Sequence, residues 1–229
     1  PGLSAGLLVV FEARARGIPI VGEIELFAHA LRDLDVRDQT KVIAISGTNG
    51  KTTTTALTAH LCRCAGRDAE LAGNISPAAL DALMSRLDAG RLPEIWVLEL
   101  SSFQLETLET LNADAATVLN ISDDHLDRYI DLDEYAEAKS RVFFGTGVQV
   151  LNRNDVRVKK MAESGRWLIS FGLDVPKMLE DFGLCERGGK FWLVQGDNFL
   201  LPLWQLPLPG LHNAANVLAA LALCHAIGL

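Results

Sequence analysis

The chain has 229 residues, enough for one large domain or two small ones, and its 49% apolar and 22% charged residues are an ordinary globular composition. A net charge of −8 argues against a nucleic-acid partner, and no apolar run is long enough to span a membrane. The four cysteines, Cys62, Cys64, Cys185 and Cys224, fit no zinc spacing and read as buried reduced thiols of a cytoplasmic protein, expected to be a monomer.

Residues 1–30 read as a loop, a helix through 13–15, a short strand at 18–21 and a helix from Glu23. This is too short for a domain and suits the last strand–helix piece of a preceding one, with 32–40 as linker. The first residue is Pro1 and the last is Leu229, just after a helix, so both ends are expected to be cut from something longer.

The informative stretch follows, KVIAISGTNGKTTTTA at 41–56. Residues 41–46 read as a buried strand, 47–50 as a glycine turn and 51–65 as a helix. That order aims backbone N–H groups and the positive end of a helix dipole at one point, which makes a phosphate site. Lys51 would reach the outer phosphates and the Thr52 hydroxyl would ligate Mg²⁺. The longer phosphate-loop pattern wants glycine where this chain has Ile45, so what remains is G-x-x-G-K-T. A polar helix start with threonine caps is the plainer alternative.

Further strands are expected at 69–73, 94–100, 115–121, 148–152 and 167–171. Between them come helices at 77–87, with Pro77 in its first turn, and at 103–111, 132–144 and 155–164. Such alternation predicts an α/β fold, a mostly parallel sheet with helices on both faces. Residues 182–208 then read as a small antiparallel sheet of two or three strands, turning at 188–189 and 196–198. A last helix over 213–227 is entered through Pro209 and Gly210.

Several polar residues fall at predicted strand ends, where open α/β sheets bind ligands. Glu99 closes the strand IWVLEL, and a carboxylate there needs a partner or a metal unless the strand has already left the sheet. Ser101 and Gln104 follow it, as ligands of the same crevice or as a helix cap. His125, in NISDDHLDR, follows the next strand, so three strand ends converge on one crevice. Asn74 reads by default as a turn residue and Asn213 as a cap. Asn216 follows on the same helix, and nothing in the residues distinguishes Lys139 from a surface lysine.

Together these segments resemble the Mur ligases, ATP-dependent enzymes that lengthen the peptidoglycan peptide, and within them the D-glutamate-adding branch. The resemblance rests on GTNGKTTTT at 47–55, GNISPAAL at 73–80, LELSSFQLE at 98–106, LNISDDHLDRY at 119–129, EYAEAKSRV at 134–142 and LPGLHNAANVLAALAL at 208–223. The opening GIPIVGEIELFA at 17–28 resembles the end of that family's first domain.

The resemblance implies ATP and two Mg²⁺ ions as cofactors, and UDP-N-acetylmuramoyl-L-alanine and D-glutamate as substrates. It implies that Gly47, Thr48, Asn49, Gly50, Lys51, Thr52 and Thr53 surround the phosphates, and that Asn213 and Asn216 face the adenine. Asn74, Ser101 and Gln104 would face the muramoyl substrate. Thr52 and Glu99 would hold one Mg²⁺, and His125 with a carbamylated Lys139 the second. Lys51, Glu99, His125 and Lys139 would be the catalytic set. Residues 1–38 would be a remnant of the uridine-nucleotide domain and linker, and 39–229 the central ATP-binding domain. The D-glutamate-binding domain would be absent and the chain inactive alone.

The alternatives are a nucleotide-binding module without turnover, or a relative that adds another amino acid or resembles folylpolyglutamate synthase. A phosphate-loop GTPase is disfavoured, because the nearest approach to N-K-x-D is Asn152-Arg153-Asn154-Asp155.

Overall fold

A computed structural model describes residues 8–123 and 128–229. In chain order the elements begin with α1 (Leu8–Ala15), α2 (Glu23–Asp33), β1 (Lys41–Ser46), α3 (Lys51–Cys64), β2 (Ala69–Gly73) and α4 (Ala79–Asp88). Next come β3 (Ile95–Glu99), α5 (Ser102–Leu105), β4 (Ala115–Val118), α6 (Leu132–Ser140), β5 (Val148–Asn152), α7 (Val156–Lys160) and β6 (Leu168–Phe171). The chain closes with β7 (Phe182–Arg187), β8 (Lys190–Gln195), β9 (Asn198–Pro202) and α8 (Leu211–Ala226).

The strands form one sheet in the order β2-β3-β1-β4-β5-β6-β7-β8-β9, parallel through β7 and antiparallel after it. The antiparallel strands therefore extend the main sheet, joined to it by the single pair Phe171–Phe182. β1 lies between β3 and β4. From β1 the chain runs outward to β2 on one side, and from β4 to β5 on the other. The crevice at the carboxyl ends of β1 and β4 is thus the switch point of the sheet.

Alternation along β1 fills two cores. Val42 and Ala44 pack on the face that carries α2, α4 and α6, whereas Ile43 and Ile45 pack on the face that carries α3 and α8. Glu99 has the parity of Ile95 and Val97, so it leaves the strand on the α3 side. α2 is built into the first core: Ile24, Phe27 and Leu31 are buried, and Phe27 meets Trp96 edge-on at 5.1 Å.

Several elements differ from expectation. Residues 18–21 form no strand; Ile18 N–H turns back to Ala13 O at 2.9 Å. Pro77 precedes α4, which starts two residues later from Ala78. The expected helix 103–111 is the single turn α5, because buried Glu25 takes the N–H groups of Glu109 and Thr110 at 2.8 and 3.0 Å. The helix from 155 ends at Lys160, where buried Gln149 binds Met161 O and Glu163 N–H. The end of the helix from 132 tightens into a 3-10 turn, Arg141–Phe143. Of the cysteines, Cys62 and Cys224 are buried, Cys185 is half-buried and Cys64 exposed; all four are free thiols.

Candidate active site

The turn after β1 holds its shape through two glycines. Gly47 has φ +145°, and a Cβ there would crowd Leu119. Gly50 has φ +85°, and a Cβ there would collide with the Asn216 side chain of α8. α3 starts directly at Lys51, and no side chain among the described residues caps it. Its first N–H groups therefore suit an anion.

Lys51 lies back along the turn, donating to Gly47 O at 3.0 Å and Thr48 O at 2.8 Å. Thr52 Oγ1 donates to Glu99 Oε2 at 2.9 Å, and Asn74 Nδ2 donates to Glu99 Oε1 at 2.9 Å. Glu99 is 2% exposed, so a carboxylate is held in the interior by two neutral donors. Such donors satisfy its lone pairs without balancing its charge, a setting that suits a cation. Residues 48–53, Asn74 and Glu99 line a cleft of about 280 Å³. A larger hollow of about 430 Å³ beside Thr40 and Pro93 lies at the opposite ends of the strands, away from these groups.

Lys139 reaches the same turn from α6. It is 1% exposed, donates to Gly47 O at 2.9 Å and lies 4.5 Å from the centre of the Tyr135 ring. Nothing in the local residue pattern marks this lysine as buried. Gly47 O thus accepts from both lysines.

His125 lies outside the described residues. Downstream of it, Arg128 pairs with Glu106 at 2.7 Å and stacks over Phe103 at 4.1 Å, while Tyr129 donates to Glu106 Oε1 at 2.8 Å. Burial pushes the Tyr129 phenol well above its usual range and Glu106 adds to the rise, against an opposing hydrogen bond with Ser102. The phenol therefore stays a donor.

Ser101 and Gln104 satisfy each other. Ser101 Oγ accepts from Gln104 N–H at 3.3 Å, and Gln104 Oε1 accepts from Ser101 N–H at 3.0 Å, a capping box on α5. Asn213 is no N-cap, because Gly210 holds that position. Its Nδ2 donates to Pro209 O at 2.7 Å, and Asn216 Nδ2 donates to Asn213 Oδ1 at 3.4 Å. Asn216 faces the phosphate turn through Gly50, which ties α8 to the cleft. Sequence reasoning passed over Asn120, which binds the main chain of Asn49 from the end of β4; the available signal was an asparagine inside the quoted NISDDH segment.

A glycine turn feeding a helix that no described side chain caps, at the switch point of a parallel sheet and beside a buried carboxylate, has the form of a phosphate-loop nucleotide site. The family model for the Mur ligase middle domain matches residues 45–224. The chain is 61% identical over 225 residues to the UDP-N-acetylmuramoylalanine--D-glutamate ligase of Aromatoleum aromaticum, covering 98% of this chain and 48% of that protein. It is 52% identical to the enzyme of the same name from Nitrosomonas europaea, covering 100% of this chain and 49% of that one.

Among solved structures, a UDP-N-acetylmuramoyl-L-alanyl-D-glutamate--2,6-diaminopimelate ligase superposes with a TM-score of 0.70 at 27% identity, over 88% of this chain and 46% of that one. MurF from Acinetobacter baumannii shares the fold, with a TM-score of 0.68 at 23% identity over 89% of this chain and 46% of that one. The chain belongs to the Mur ligase family, through its middle domain. It spans about half the length of the curated relatives it matches.

Proposed function

We propose that the chain is the nucleotide-binding part of a ligase that joins D-glutamate to UDP-N-acetylmuramoyl-L-alanine at the expense of ATP. The observation that carries this reading is Glu99, buried between Thr52 at the start of α3 and Asn74 at the end of β2. The names of the relatives supply the substrates. Residues 39–229 are then the ATP-binding domain, and residues 1–38 are the end of the preceding domain, with α2 docked on the central core. The protein works in the cytoplasm, where these substrates and reduced thiols are found.

In this reading the α3 N-terminus and Lys51 hold the ATP phosphates, and Asn213 and Asn216 lie on the base side. The substrate carboxylate attacks the γ-phosphate, giving an acyl phosphate and ADP. The amine of D-glutamate then displaces phosphate, forms the amide and loses a proton. Asn74, Ser101 and Gln104 border the acceptor's carboxylate. Bound Mg²⁺ supplies charge neutralisation at the phosphates. Thr52 and Glu99 fit it as one hydroxyl and one carboxylate, leaving positions for water and phosphate oxygens. Lys139 fits a second ion only as a carbamate, since an ammonium has no lone pair; His125 would be its neighbour ligand.

The test is amide formation from ATP, UDP-N-acetylmuramoyl-L-alanine and D-glutamate. A protein of the relatives' full length should release ADP and phosphate in step with amide, whereas this chain alone should form none. Amide formed with another amino acid but not with D-glutamate would move the reading to another branch of the family. ATP binding with no turnover in the longer protein would leave only a nucleotide-binding module.

A further inference from the structure

Asn120 joins the end of β4 to the phosphate turn through three hydrogen bonds. Its carbonyl accepts from Thr48 N–H at 2.9 Å, its Oδ1 accepts from Asn49 N–H at 2.9 Å, and its Nδ2 donates to Asn49 O at 3.0 Å. The side chain thus imitates a rung of sheet, and only a carboxamide offers donor and acceptor together at this reach. An aspartate would lose the donor, and a leucine both. Ser122 supports the same geometry, with its N–H on Thr48 Oγ1 at 3.1 Å and its Oγ accepting from Asn49 Nδ2 at 3.2 Å.

These bonds turn the N–H groups of Thr48 and Asn49 sideways, toward β4. Phosphate contacts then fall to the N–H groups that follow, at the start of α3. Their aim depends on the turn at Asn49 and Gly50 keeping its shape, and Gly50 at φ +85° does not fix that shape by itself. We propose that Asn120 is the positioning residue of the phosphate loop, holding the Asn49 main chain so that the first amides of α3 converge on the nucleotide's phosphates. This rests on the nucleotide reading above. The effect is preorganisation: without the clamp, the cost of ordering the turn moves into the binding step.

The test uses this chain, Asn120→Ala and Asn120→Leu, the second keeping the side-chain volume should the first fail to fold. MgATP affinity is measured by calorimetry well below each unfolding midpoint, and amide exchange at Asn49 by NMR without nucleotide. The unsubstituted chain should bind MgATP and protect the Asn49 amide. The variants should bind about tenfold more weakly, the loss expected for one or two hydrogen bonds, and exchange that amide faster. A purely structural residue would lower the midpoint without weakening binding at the lower temperature. Variants that bind as tightly as the original, or that weaken with Asn49 still protected, overturn this inference alone. No binding by the unsubstituted chain overturns the nucleotide reading, and this inference with it.

Discussion

Thr52 and Glu99 lie 47 residues apart in the chain and meet at 2.9 Å, one opening α3 and the other ending β3. The contact follows from strand parity. Glu99 faces the α3 side of the sheet because Ile95 and Val97 do, and the helix that follows β1 starts over that face. A hydroxyl and a carboxylate are thereby fixed at the point where a helix N-terminus and Lys51 favour phosphate.

Glu99→Gln should leave the fold intact and abolish the help that Mg²⁺ gives to nucleotide binding. The amide retains a carbonyl for Asn74 or Thr52, so unfolding free energy should shift by only about 1 kcal/mol. Titrations with and without Mg²⁺ read the effect. Undiminished Mg²⁺ dependence would reduce Glu99 to a strand-end carboxylate.

Lys139→Ala in the full-length protein should lose most ligase activity, with part restored by a small added carboxylate. The motive is a lysine 1% exposed at the phosphate turn, which only the family resemblance had singled out. Carbon-13-labelled CO₂ should give the metal-loaded protein a carbamate NMR signal that the variant lacks. A variant as active as the original, or no such signal, would refute a carbamylated Lys139.

Glu25→Gln should destabilise the chain by about 1.5–3 kcal/mol at neutral pH, the range for hydrogen bonds to a charged group. Burial pushes the Glu25 carboxyl up, but the N–H groups of Glu109 and Thr110, the Thr110 hydroxyl and His29 outweigh it and hold it below its ordinary value of 4.5. The stabilisation is therefore complete above that value and is lost as pH falls through the lower, folded one. Denaturant unfolding of both proteins across this range should show the gap closing in acid. A gap that widens in acid would reverse the assignment.

How much was legible depended on how local the cause was. β1, β2 and β5 were readable to the residue because short apolar stretches ended at a glycine or a polar residue, and the glycine turn announced its own site. The helix expected over 103–111 failed for a distant reason: its amides go to Glu25, from an element 84 residues away. Lys139 was named only by the family resemblance and Asn120 not at all, one an ordinary helical lysine and the other an ordinary turn asparagine until the fold brings them to Gly47 and Asn49. Asn213 misled in the opposite way, since capping chemistry suited it but the helix begins earlier, at Leu211.

The most direct measurement is a calorimetric titration of MgATP into this chain beside Lys51→Ala and Lys41→Ala. Lys51 lies in the cleft, whereas Lys41 is exposed at the far end of β1, paired with Asp114 at 3.0 Å. Binding should be saturable, weakened by Lys51→Ala tenfold or more, the worth of a charge-assisted phosphate contact of about 1.5–3 kcal/mol, and unchanged by Lys41→Ala. Equal losses in the two variants, or no binding by the unsubstituted chain, would contradict it.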